Sequence, residues 1–252
     1  MTNVLSVHGI SKNYPGFSLC DISFDLAPGR IMGLIGKNGA GKSTTLKSIL
    51  NMVHPDNGSV QLFGKDFYHN EKACKEEIGI VFGGIDFYPL KRLSTITAIT
   101  QKFYHNWDSD KYKSYLQQFE LDEGKRFKEL SNGMKVKYLL AVALSHHANL
   151  LILDEPTSGL DPVSRDELLH IFRHIVSDGK RSILFSTHIT SDLDRCADDI
   201  TYIQGGRLLR SADRKTFLHS FEHLKTPQDS GQLTLEEIML RTERSKFDEA
   251  AL

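Results

Sequence analysis

The segment that most constrains this chain is the apolar run Ile31-Met32-Gly33-Leu34-Ile35, the loop Gly36-Lys37-Asn38-Gly39-Ala40-Gly41-Lys42-Ser43, and the stretch Thr44 to Met52. The run reads as a strand buried on both faces, the loop fits G-x-x-x-x-G-K-[ST], and the stretch after it reads as a helix. Glycines at 36, 39 and 41 let the backbone curl around Asn38 and Ala40 so that N–H groups point inward at phosphates. The helix opening at Ser43-Thr44 adds its partial positive charge. In such a loop Lys42 reaches the β- and γ-phosphates and the Ser43 hydroxyl ligates Mg²⁺. A glycine-rich turn with no ligand is the bland alternative, and the flanking strand and helix argue against it.

Short apolar strands recur along the chain, at Val4 to Val7, Leu19 to Leu26, Val60 to Phe63, Ile78 to Phe82, Leu150 to Leu153, Ser182 to Phe185 and Ile200 to Ile203. Helical patterns separate several of them, which predicts an α/β class with parallel crossovers. From Thr95 to Lys137 the sequence is polar, aromatic-bearing and helical, with no buried-strand signal, and reads as an inserted helical subdomain. After Arg210 it turns polar, with a weak helix at Leu235 to Arg241 and a charged tail from Arg244, so a small C-terminal appendage is expected over residues 211–252.

Composition narrows the function classes. With 31 Lys+Arg against 32 Asp+Glu, the chain has no bulk positive charge to grip nucleic acid, and no nucleic-acid partner is expected. The longest apolar run, Tyr138 to Leu144, is too short to cross a bilayer as a helix, where about 20 residues are needed. The first residues lack the features of a secretory signal, so a cytosolic protein is expected. Cys20, Cys74 and Cys196 are few and scattered, and read as reduced structural thiols.

A second group of chemical residues lies at Leu150-Leu151-Ile152-Leu153-Asp154-Glu155, a buried strand ending in two carboxylates. Open parallel sheets present ligand-contacting groups at that end of a strand. There Asp154 is placed to hold Mg²⁺, directly or through water, and Glu155 to orient or deprotonate an attacking water. His188 follows the strand Ile183 to Thr187 and would arrive at the same sheet edge, although a lone histidine carries little weight on position alone. His146-His147 reads as a solvated helix end, since adjacent positions do not face one another. Asp161-Pro162 reads as an N-cap with proline at N1.

These motifs resemble, in order and spacing, those of the ATP-binding subunits of ABC transporters. The deciding segment is Leu130-Ser131-Asn132-Gly133-Met134-Lys135, which is similar to that family's signature and precedes Asp154 by 23 positions from Ser131. The resemblance covers Val4 to Arg210. It implies a phosphate-loop nucleoside-triphosphatase core with a mixed, largely parallel sheet, an antiparallel β subdomain and a helical subdomain inserted at about 84–137, the whole domain spanning 1–210. It also implies bound ATP with Mg²⁺, Tyr14 stacked on adenine, Ser158 to Asp161 as the D-loop, and His188 on the γ-phosphate. The family works as a head-to-tail dimer, in which Ser131 and Gly133 touch the nucleotide held by the other chain. It implies a separately encoded membrane permease, with this subunit on the cytoplasmic face. The Met134-Lys135 ending leans towards bacterial subunits that pair with ABC-2-like exporters.

Two departures from the family pattern stand out. Gly83-Gly84 occupy the place of a glutamine that contacts Mg²⁺ and water, with Asp86 a nearby substitute. Asn132 and Met134 replace the usual glycine and glutamine. Two other classes stay open: an ABC-type ATPase acting on ribosomes or DNA, against which the single domain and absence of heptads argue, and a regulatory partner of low activity in a heterodimer.

Overall fold

The computed structural model describes residues 2–82 and 88–248, the last five by backbone alone. Gly83, Gly84 and Asp86 lie outside the described residues. In chain order the elements are β1 (Leu5–Tyr14), β2 (Phe17–Leu26), β3 (Ile31–Ile35), α1 (Lys42–Ile49), β4 (Asn57–Leu62), β5 (Lys65–Asp66), α2 (Glu71–Glu76), β6 (Ile78–Phe82), α3 (Leu93–Thr100), α4 (Ser109–Gln118) and α5 (Asn132–Ser145). They continue with β7 (Leu150–Asp154), α6 (Pro162–Val176), β8 (Ser182–Thr187), α7 (Thr190–Cys196), β9 (Asp199–Gln204), β10 (Arg207–Asp213), α8 (Arg214–Ser220) and α9 (Leu235–Asp248).

The strands form one sheet in the order β5-β4-β1-β2-β10-β9-β3-β8-β7-β6. Its half from β9 to β6 is parallel, and the β1, β2, β4 and β5 part is antiparallel. The parallel strands are mostly apolar because both faces are largely covered, and alternate side chains enter opposite cores. Ile31, Ile35, Leu151, Leu153, Ile183 and Phe185 pack with α5, α6 and the C-terminal helices. Met32, Leu34, Leu150, Ile152 and Leu184 pack with α1 and the antiparallel strands.

The chain after 210 is built into this body. Residue 210 lies inside β10, which pairs antiparallel with β9, and Phe217, Phe221, Leu233, Leu235 and Ile238 are buried in the main core. The small segment expected after Arg210 thus shares the sheet and the core of the domain before it. The strand is hard to see because its side chains are half exposed and charged. The local clue is Gly205-Gly206, both at positive φ, a two-residue loop of the kind that closes hairpins. The helix expected at 235–241 runs on to Asp248. His146 also differs from expectation: it is buried, its ring stacks on Tyr104 with centroids 3.7 Å apart, and Nδ1 lies 3.1 Å from the Glu76 carbonyl oxygen. Burial pushes its pKa down to about 4, so the ring is neutral. Its neighbour His147 is half exposed, within 3.8 Å of Asp108.

Candidate nucleotide site

Parallel pairing sets Ile35 beside Thr187, and Asp154 beside Ser186 and Phe82. The loops leaving β3, β7 and β8 therefore open at one edge of the sheet, the edge at which doubly wound sheets bind ligands. The loop after β3 takes its path from glycine at two points. A Cβ on Gly36 would stand 2.3 Å from the Ile203 carbonyl oxygen, and Gly41 caps α1 at φ 113°, a backbone that L side chains rarely adopt. Asn38 and Gly39 are exposed at the tip, Ala40 is buried, and Ser43 and Thr44 are half-buried in the first turn of α1.

Lys42 is 5% exposed, so its charge needs partners inside the fold. Its Nζ donates to the Gly36 carbonyl at 2.8 Å and lies 3.2 Å from Glu155 Oε1. The other oxygen of Glu155 is 2.8 Å from His188 Nδ1. A carboxylate can only accept here, so Nδ1 carries the proton and Nε2 is left to another partner. Glu155 thus sits between two nitrogen groups, with a backbone φ of 49°. Ser43 Oγ donates to Asp154 Oδ1 at 3.0 Å. The same oxygen accepts from Ser186 Oγ at 2.5 Å, and that hydroxyl in turn accepts from the Glu155 N–H at 2.9 Å. Ser186 escaped the sequence reading although it joins both acidic residues. The signal was its place two residues before His188 on a strand beside the acidic one.

Lys42, Ser43, Asp154, Glu155 and His188 are therefore brought together. Tyr14, 40% exposed, ends β1 opposite Phe17. Phe17 in turn lies against Gly41, its ring 3.1 Å from where a Cβ there would stand, so this hairpin flanks the loop. Lys12 Nζ stands 6.0 Å from the Tyr14 ring.

The remaining candidates sit elsewhere. Ser131 caps α5, its Oγ accepting from Met134 N at 3.2 Å. Asp161 caps α6, accepting from the Val163 and Ser164 amides and, at 2.6 Å, from the Ser164 hydroxyl. These bonds, led by the Ser164 hydroxyl, hold the Asp161 carboxyl below its usual range. The two caps are neighbours, since Gly133 faces Ser164 and Leu160. Among the described residues no hydrogen bond or ion pair joins them to the Lys42–Glu155–His188 group.

A parallel sheet whose carboxyl edge carries a glycine loop with a buried lysine, a serine on an aspartate, and a glutamate held by a histidine defines a phosphate-loop nucleotide-binding protein. The comparisons with known proteins place it more narrowly. The ABC transporter family model matches residues 19–158, and the chain belongs to that family, whose ATP-binding domains are ATPases. It is 34% identical to the Nod factor export ATP-binding protein I of Rhizobium leguminosarum bv. viciae over 81% of this chain and 67% of that one. It is 29% identical to the bacitracin transport ATP-binding protein BcrA of Bacillus licheniformis over 89% of this chain and 72% of that one. A solved ATP binding subunit of an ABC transporter superposes with a TM-score of 0.82 at 25% identity, covering 95% of this chain and 99% of that chain. No helix among the described residues is long and apolar enough to cross a membrane.

Proposed function

We propose that this chain binds and hydrolyses ATP to drive a separate membrane permease, acting from the cytoplasmic face as one half of a head-to-tail pair that encloses two nucleotides. The observation that carries the reading is Glu155, held between Lys42 and His188 beside the Ser43–Asp154 pair. The loop Gly36 to Ser43, with Asn38, Gly39, Ala40, Gly41 and Thr44, encloses the phosphates, and Tyr14 stacks on the base.

The residues suit a magnesium ion. Ser43 and Asp154 offer a hydroxyl and a carboxylate oxygen 3.0 Å apart, and neighbouring ligands of an octahedral Mg²⁺ at about 2.1 Å stand about 3 Å apart. When bound, the ion supplies charge neutralisation on the β- and γ-phosphates.

The chain's own residues then do three things. Phosphate oxygens compete with Glu155 for Lys42, and the exchange leaves one carboxylate oxygen of Glu155 free. That oxygen orients the water that attacks the γ-phosphate. Meanwhile Nε2 of His188, protonated or donating after ring reorientation, binds the γ-phosphate. Ser131 and Gly133, at the start of α5, act on the nucleotide of the other chain, and Asp161, at the start of α6, adds the D-loop contact to nucleotide. Loss of the γ-phosphate removes the cross-chain contacts and reopens the pair.

The helical segment, about 84–137, carries the permease-facing surface. Tyr88, Leu90, Ile99 and Phe103 are exposed, and a cavity of about 390 Å³ lined by Met52, Ile80, Phe82 and Tyr104 opens against α3 at Ile96 and Thr100. The Rhizobium relative's role in Nod factor export favours export as the direction. Purifying tagged Glu155→Gln chain with Mg-ATP from gently solubilised native membranes tests the partner. A stoichiometric multi-spanning protein is expected. Recovery with ribosomal or DNA-bound proteins alone would overturn the transport reading.

A further inference from the structure

Asp192 lies in the first turn of α7, four residues after His188, and is wholly buried. Taking a carboxylate out of water is unfavourable unless its oxygens find donors. Oδ2 accepts from Thr157 Oγ1 at 2.6 Å, whereas Oδ1 has no hydrogen-bond partner. Burial raises the carboxyl's pKa, and the hydroxyls of Thr157 and Thr187 with the charges of Arg165 and Arg195 work against that rise. A half-satisfied buried acid adds little to stability, because an apolar side chain of similar size fills such a place without the desolvation cost. Its use therefore lies in what it holds.

It holds Thr157, also wholly buried, two residues past Glu155. The segments leaving β7 and β8 are thus joined twice. The outer joint is Glu155–His188 at 2.8 Å, between side chains 23% and 38% exposed. The inner joint is Thr157–Asp192, out of reach of any ligand. Its base is firm: α7 packs so closely on β3 that a Cβ at Gly33 would stand 2.0 Å from Leu193 Cδ2. Glu155 needs such a hold, since its φ of 49° is unfavourable for a residue with a Cβ and persists only where the surroundings impose it.

We infer that Asp192 is a positioning residue for ATP hydrolysis: through Thr157 it fixes the turn bearing Glu155 against the helix that follows His188, so that the two groups keep their register when the outer joint opens. This rests on the proposed roles of Glu155 and His188.

The test uses the full chain with Thr157→Val, which keeps the volume and removes the donor, alongside Asp192→Ala, the double variant and the conservative Thr157→Ser. Thr157→Val and Asp192→Ala are expected to lower kcat roughly tenfold or more, as small misplacements of reacting groups do, with KM for Mg-ATP within about twofold of the parent. The double variant should lose no more than the worse single one, and Thr157→Ser should restore kcat. Amide hydrogen exchange should quicken at 155–161 and 188–191 in Thr157→Val. Parent-like kcat with unchanged exchange there would overturn the inference, as would a loss that Thr157→Ser does not repair. Glu155→Gln is run in parallel: if it turns over normally, the proposed role of Glu155 fails, and exchange alone then decides whether the inner joint holds the two segments.

Discussion

The carboxyl edge of the parallel sheet and the outer face of the helical segment treat their side chains in opposite ways. At the sheet edge the polar groups satisfy one another: Lys42 with Gly36 and Glu155, Glu155 with His188, Asp154 with Ser43 and Ser186. On the helical segment large apolar side chains face solvent, Phe103 at 73% and Leu90 at 64% exposure, although its interior is closed by the hydroxyl of Thr97, bonded to both Tyr112 and Tyr138. The first region has its charged groups paired at rest and must exchange those contacts for a charged ligand. The second leaves large apolar side chains in contact with water, the kind of surface that marks interaction sites where it is contiguous.

Substitutions separate the two. Lys42→Ala removes the cation facing the phosphates and should weaken ATP binding by roughly ten- to a hundredfold, since charge-assisted hydrogen bonds contribute about 1.5–3 kcal/mol; calorimetric titration with Mg-ATP reads it. Leu90→Ser with Phe103→Ser should leave that affinity unchanged while weakening retention of the copurifying membrane protein about tenfold or more, the size expected for apolar anchors at an interface. Unchanged retention would erase the contrast. Thr97→Val should cost about 1–3 kcal/mol of stability, because two buried phenols lose their shared partner, read as a lower denaturation midpoint with ATP affinity intact. Tyr14→Ala should produce the smallest effect, roughly a three- to tenfold loss of ATP affinity, since an aromatic stack contributes about 0.5–1.5 kcal/mol. Full affinity would leave Tyr14 as a surface aromatic.

The same contrast explains what the sequence could tell. The phosphate loop is legible because its chemistry is local: glycines, Lys42 and Ser43 stand together between a strand and a helix. Asp154, Glu155 and His188 are legible as strand-end residues, and their convergence follows from parallel pairing, although their hydrogen bonds do not. Ser186 and Asp192 were not singled out, because each acts through a partner more than 30 positions away in sequence. The packing of the tail after Arg210 is hard to read because β10 is a half-exposed strand with charged side chains, and its contribution to the core comes from widely spaced residues such as Phe217 and Ile238. His146 reads as solvated beside His147, yet the chain leaves α5 at this point, with His147 in left-handed backbone at φ 62°, and one ring lies under Tyr104 while the other is half exposed near Asp108.

The role proposed for Glu155 is in hydrolysis and not in nucleotide binding. It is tested most directly by measuring ATP affinity and phosphate release for Glu155→Gln beside the parent chain, with size-exclusion chromatography in Mg-ATP. Affinity should be retained, phosphate release should fall by roughly a hundred- to ten-thousandfold, as for removal of a general base, and a nucleotide-bound pair of chains should accumulate. Phosphate release at the parent rate would contradict that role.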